Sequence, residues 1–236
     1  MESSWTLIGF GPNGWGDDIL KGVVVTIALS LATLPIGLVA GFLLALGKQS
    51  ADASLRLACD VYTTIFRGLP ELLTLFLVYF GAQSAINAGM TAVGLPNLEI
   101  SPFLAGMVAL GLVFSAFASE VFLSAFRAIP LGQTEGAKAL GISKWRIMLL
   151  VLVPQLIRIA LPGLGNLWMN LLKDTALVSV IGLADTMRQA GIASRVTREP
   201  FLFFGVACAI FLALTMVSSI AIGRIDRWTR RGELAR

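Results

Sequence analysis

The apolar residues of this chain fall into long uninterrupted runs separated by short polar patches. Val23–Leu46 carries no charged residue. At about 1.5 Å per helical residue it is long enough to cross a hydrocarbon core of about 30 Å. Leu72–Leu98 is also uncharged and follows the mixed stretch YTTIFRGLPE. Ile100–Ser119 is uncharged and continues past Glu120 to Phe126, Ile147–Leu172 is interrupted only by Arg158, and Pro200–Gly223 is uncharged. The pattern predicts an all-α integral membrane protein, a single domain over 1–236. Its five transmembrane helices are expected near 20–46, 57–90, 101–126, 145–172 and 200–224. Thr175–Met187 is too short an apolar run to cross and reads as re-entrant or interfacial.

Pro35, Pro70, Pro154 and Pro162 fall inside or at the mouths of these runs. Each removes a helix hydrogen bond and predicts a kink. Gly37 and Gly41 form a small-xxx-small pair suited to close helix packing.

Composition agrees with the pattern. The chain has 236 residues, of which 56% are hydrophobic and 14% charged, against about 25% charged in ordinary soluble domains. Mean hydropathy is +0.83. The sequence contains no histidine, which excludes histidine metal ligands, general bases and proton relays. Cys59 and Cys208 lie far apart in or near apolar runs and read as small apolar residues rather than a disulfide or metal pair. The N-terminal stretch MESSWTLIGFGPNGWGDD lacks a basic n-region and a clean apolar core, so a cleavable signal peptide is not expected. Gly41–Lys48 (GFLLALGK) faintly resembles a phosphate loop, but its spacing is one residue too long and Gln49 stands where Ser or Thr is needed. No cofactor is expected in this chain, and any ATP must be bound by another subunit.

Positive charge sets the expected orientation. Lys48 and Arg56 follow the first span, Arg127, Lys138, Lys144 and Arg146 follow the third, and Arg224, Arg227, Arg230, Arg231 and Arg236 follow the fifth. The opposite side has Lys21, then Lys173, Arg188, Arg195 and Arg198. The majority places the N-terminus outside and the C-terminus in the cytoplasm; the basic segment after the fourth span dissents.

Charges in or beside spans are costly and usually face a protein interior or water. The candidates are Arg67, Glu71, Glu120, Arg158, Lys173 and Asp174. Lys173 and Asp174 are adjacent and suit a local structural role near a membrane surface. Arg158, four residues after Pro154, is placed to satisfy freed carbonyls. Glu120 stands alone after a long uncharged run. One reading pairs it with Arg67 or Arg158 inside the bundle. The other has it line a central cavity, with Phe117, Arg67 and Glu71 along the same solute pathway, and meet a cationic group of the solute.

The polar break between the third and fourth spans, TEGAKALGISKWRIMLLVLVPQ, predicts a short cytoplasmic helix over 134–141. Pro130 and Gly132 stop the preceding helix, Thr134 is the expected N-cap, and Glu135 in the first turn suits the helix dipole. Gly141 supplies the C-terminal break, and Ser143 caps a helix that starts at Lys144. Small residues leave its surface open to close approach. An amphipathic turn on lipid headgroups would read the same way, and these residues by themselves leave both open.

The same stretch resembles the cytoplasmic signature of permease subunits of binding-protein-dependent ABC importers: Glu-Ala-Ala, three residues, Gly, nine residues, then Ile-x-Leu-Pro. Glu135, Gly136, Ala137 and Gly141 match the first part and Val151–Pro154 the second, with Gly136 for the first Ala and Val153 for the usual Leu. RGLPELLTLFLVYFG (Arg67–Gly81), SEVFLSAFRAIPLGQTEGA and LLKDTALVSVIGLADTMRQA resemble the histidine/arginine/opine branch of the polar amino-acid permeases. The resemblance implies a type I importer permease in a bacterial inner membrane, working as half of a dimeric pore. Its short helix, with Glu135, Gly136, Ala137, Ala139, Leu140, Gly141 and Lys144, would dock on a cytoplasmic ATP-binding subunit dimer that carries ATP and Mg. A periplasmic binding protein would deliver a polar, cationic amino acid or opine-like solute. Lipid is the remaining partner, and nucleic acid is not one. Where family members carry Glu-x-x-Arg-Gly, this chain has Glu120, then Leu123 and Ser124. The missing arginine favours a heterodimer with a second permease over a homodimer. An ion-coupled carrier or channel is the rival, against which stands the lack of an internal repeat. A membrane enzyme is disfavoured by the absence of histidine, paired cysteines and clustered carboxylates within spans.

Overall fold

The computed structural model describes residues 4–12 and 14–230. Arg231 and Arg236 of the basic tail lie outside the described residues. All regular structure of the described residues is helical: α1 (Ser4–Ile8), α2 (Gly16–Lys48), α3 (Ala53–Gly68), α4 (Glu71–Ala92), α5 (Pro102–Ala128), α6 (Leu131–Ala139), α7 (Lys144–Ile147), α8 (Val153–Asp174), α9 (Thr186–Thr197) and α10 (Pro200–Arg230). A π-helical turn, Met148–Leu152, joins α7 to α8, and a 3₁₀ segment, Thr175–Ile181, follows α8. Five helical stretches of the described residues are long and apolar enough to cross a membrane: α2, α4, α5, the α7–α8 rod with its 3₁₀ extension, and α10.

The second span predicted over 57–90 is two helices. Pro70 restricts the residue before it to extended backbone, and Leu69 sits at φ −89, ψ 142. α3 therefore ends at Gly68, and a new helix begins at Glu71, whose charge suits the positive N-terminal end. The short helix also starts earlier than 134. Pro130 is its N-cap and Leu131 its first residue, so Thr134 is interior and Glu135 lies beyond the first turn. A proline in extended conformation both stops α5 and pre-sets α6, which outranks a threonine cap one turn later. The fifth helix runs past 224 to Arg230.

α5 is the central element. The apolar stretch of α5 is 67% buried, whereas that of α10 is 11% buried. Small residues allow this. Ala105, Ala109, Ala116 and Ala118 are all buried. The Gly37/Gly41 face of α2 lies against α5: a Cβ on Gly37 would come within 2.5 Å of Phe114 Cδ1, and one on Gly41 within 2.7 Å of Ala118 Cβ. On the other side a Cβ on Gly106 would meet Val178 Cγ1 at 2.7 Å. The main core gathers α2, α4, α5, α8 and the 3₁₀ segment around Leu29, Leu75, Phe114, Leu156 and Val178. A second cluster, Ile19, Ala190, Ala193, Phe203 and Ala207, ties α9 and α10 to the start of α2.

Pro154 explains the π turn. It lacks an N–H and crowds the carbonyl four residues back, so the helix widens there and Val153 N–H donates to Met148 O. Gln155 Nε2 donates to Val151 O at 2.8 Å. Arg158, the residue expected to satisfy freed carbonyls, is exposed. Cys59 is buried, Cys208 is exposed, and both are free thiols.

Candidate functional site

The short helix α6 connects α5 to the α7–α8 rod, so its position is fixed by two spans. Glu135, Gly136, Ala139, Gly141 and Lys144 are exposed, and Ala137 alone in this group is buried. Its C-terminus is a left-handed glycine stop. Gly141 has φ +73, Gly141 N–H donates to Lys138 O at 2.9 Å, and Ile142 N–H donates to Ala137 O at 3.2 Å. That pair of bonds is the Schellman closure. Leu140 is 81% exposed and Trp145 70% exposed. Large apolar side chains on a polar helix end mark an interaction surface better than they mark a solvated loop.

A cavity of roughly 80 Å³ lies between α4, α5 and α8. Its walls are Leu110, Val113, Phe114, Phe117, Leu167 and Leu171, with Glu71, Asn170 and Asp174 as the polar groups. By the measure in which one water needs about 10–15 Å³, that space holds several waters. Two carboxylates facing one small space repel each other, and a cation between them relieves the repulsion. Of the four residues expected along a solute pathway, Glu71 and Phe117 line this space and Arg67 and Glu120 do not. Asp174, expected to play a local structural role beside Lys173, also lines the cavity. Asn170 escapes the sequence reading altogether. The signal is the four-residue spacing of Asn166, Asn170 and Asp174, which places them along one side of a helix.

Elsewhere on α8 polar and apolar side chains are exposed together, Ile157 and Ile159 among them. Arg158, Asn166, Asn170 and Lys173 are all exposed, and Leu156, Ala160 and Leu171 are buried. Facing lipid, one arginine or lysine near a span's centre costs about 3 kcal/mol on insertion scales. Arg158 therefore calls for water or a polar neighbour at its place on α8.

Glu120 is one turn along α5 from the cavity and does not line it. Its Oε1 accepts from Lys48 Nζ at 2.6 Å and pairs with Arg67 Nη1 at 3.1 Å. Lys48 also pairs with Asp60 Oδ1 at 3.4 Å. Of the two cations proposed for Glu120, Arg67 is present, Arg158 is absent, and Lys48 is added. Arg67 also lies over the Phe117 ring, 5.6 Å from its centroid. Leu123, in place of the family's arginine, is buried in the core.

Residues 34–231 match the family described as the binding-protein-dependent transport system inner membrane component. The nopaline transport system permease protein NocQ of Agrobacterium fabrum is 42% identical over 231 residues, covering 96% of this chain and 97% of the relative. The histidine/lysine/arginine/ornithine transport system permease protein HisQ of Escherichia coli is 37% identical over 214 residues, covering 91% of this chain and 94% of the relative. Among solved structures, an amino acid ABC transporter with histidines superposes with a TM-score of 0.76 at 32% identity, covering 90% of this chain and 94% of that one.

Proposed function

The chain belongs to the family of binding-protein-dependent transport system inner membrane components, and from that premise we propose that it is the permease of an ATP-driven importer for cationic amino acids or opine-like derivatives. The observation that carries the solute class is the cavity with Glu71 and Asp174 in its wall. The similarity to nopaline and histidine/lysine/arginine/ornithine permeases supports the same class.

The chain performs no covalent chemistry. ATP and Mg belong to a cytoplasmic ATPase dimer, on which α6 docks through Glu135, Gly136, Ala139, Leu140, Gly141 and Lys144, with Ala137 packed beneath. ATP binding closes that dimer and moves α6; α5 and α8, joined to its two ends, carry the motion to the cavity, which opens outward to a loaded binding protein. Hydrolysis resets it inward. This orientation has the N-terminus outside and the C-terminus in the cytoplasm, in keeping with the excess of positive charge on the α6 side. A second, different permease covers the exposed charges of α8.

Reconstituted uptake tests the solute reading. Asp174→Asn and Glu71→Gln should each raise the KM for arginine about tenfold, the equivalent of about 1.4 kcal/mol, and leave a neutral isostere such as citrulline unaffected. Equal effects on both solutes, or none on arginine, would remove the acidic cavity from the path. Arginine uptake sustained by the isolated chain without ATP would favour the ion-coupled carrier.

A further inference from the structure

We propose that Arg67 and Phe117 form the gate between the cavity and the membrane face that carries α6, and that Glu120 is the catch that holds it shut. The cavity's α5 wall runs from Leu110 through Val113 and Phe114 to Phe117. Phe117 is the last of these before Glu120, and α5 then leads into α6. Anything leaving the cavity along α5 towards α6 passes the Phe117 ring.

Arg67 holds that ring from the far side. Its guanidinium lies over the ring at 5.6 Å from the centroid, and its Nη1 pairs with Glu120 Oε1 at 3.1 Å. The planar guanidinium can stack and pair at once, which a lysine ammonium cannot do as well.

The two cations on Glu120 are unequal. The Lys48 side chain is 5% exposed and shares a second acid, Asp60. The Arg67 side chain is 43% exposed. Withdrawing Lys48 would strand a buried ammonium, which is expensive. Withdrawing Arg67 returns a half-solvated charge to water and leaves Glu120 still neutralised. Arg67 is thus the movable partner and Lys48 the fixed one.

The backbone places a hinge beside it. α3 ends at Gly68, Leu69 is extended before Pro70, and α4 opens with the cavity residue Glu71. A change at Leu69–Pro70 moves Arg67 relative to Glu71 and so relative to the cavity. While Arg67 is stacked, the α6-side exit is blocked twice, by a ring and by a positive charge that repels a cationic solute. One withdrawal removes both barriers.

This gate rests on reading the cavity as the solute path, and its test uses no solute. In the assembled transporter, with Cys59→Ala and Cys208→Ser, a Val113→Cys reporter is placed in the cavity wall. Its labelling by a membrane-impermeant thiol reagent is followed in vesicles of both orientations without ATP. Arg67→Gln should raise labelling from the α6 face at least tenfold and leave labelling from the opposite face unchanged. Phe117→Ala should do the same, and Arg67→Lys, which keeps the charge and loses the stack, should fall between. If Arg67→Gln fails to accumulate, Arg67→Lys alone must show the one-sided increase. An unchanged rate in the arginine variants overturns the proposal, whether or not Phe117→Ala opens the path. An equal rise from both faces means general loosening and overturns it too. A parent transporter that labels as expected but takes up no arginine would refute the solute class and leave the gate standing.

Discussion

Gly141 is the residue at which local stereochemistry and coupling meet. Its φ of +73 lies where a β-branched side chain is strained by about 1 to 2 kcal/mol. The Schellman closure it makes sets the angle between α6 and the rod that becomes α8. Gly141→Val should therefore leave the chain in the membrane while uncoupling ATP hydrolysis from uptake, measured as ATP consumed per solute moved. A Leu140→Cys variant should cross-link to the ATPase chain, since Leu140 is 81% exposed beside that turn. No cross-link, with uptake intact, would place the docking surface elsewhere. Gly141, Ser143 and the break after Ile129 are legible in sequence because caps and glycine stops are local. Glu120 is not. The second cation is not Arg158 but Lys48, at 2.6 Å and 72 positions away. Nothing local marks that pairing; it follows from how closely the glycine face of α2 approaches α5.

At the scale of elements, proline decides where the apolar runs become separate helices. Pro70 splits the expected second span and Pro154 widens the fourth into a π turn, while Pro35 and Pro162 remain inside continuous helices. A sequence shows the missing donor at each site but not whether neighbouring packing lets the helix continue. α9 carries a different device at its start. Asp185 is its N-cap, accepting from Arg188 N–H at 2.9 Å, and is fully buried. Its second oxygen has no hydrogen-bond partner among the described residues. Burial pushes this carboxyl up to about 6, against the pull of backbone N–H groups and the Arg188 charge. An unfolded aspartate titrates near 3.9. Between those values the folded chain keeps a proton that the unfolded chain has released. Stability therefore falls as pH rises through that window, and the loss is complete above about 6. Roughly two pKa units correspond to about 3 kcal/mol. Asp185→Asn keeps a capping oxygen and removes the penalty. The purified complex carrying it should melt higher than the parent at pH 7.5 and alike at pH 4; the same offset at both would show that ionisation is not the cause.

The whole molecule is incomplete as a lone object in a membrane. The apolar runs and the spans are legible because lipid demands them, whereas the exposed charges of α8 are not explained by lipid. The Arg158 side chain makes no ion pair or hydrogen bond among the described residues, and Asn166, Asn170 and Lys173 are exposed as it is. The substitution of Leu123 for the family's arginine was the sequence argument for an unlike partner. With Leu123 buried in the core, that position reports on packing rather than on a clamp in the path. The case for a heterodimer moves to α8. In a like pair the same side of α8 would have to find its polar partners elsewhere on the same chain's surface. An unlike permease can present acids or acceptors there instead. Native mass measurement of the intact transporter should find one copy of this chain with one different permease and two ATPase chains. Arg158→Glu should then weaken retention of the second permease while α6 still holds the ATPase. Two copies of this chain in each complex would make the pore a homodimer and leave water or the same chain's own surface to solvate these charges.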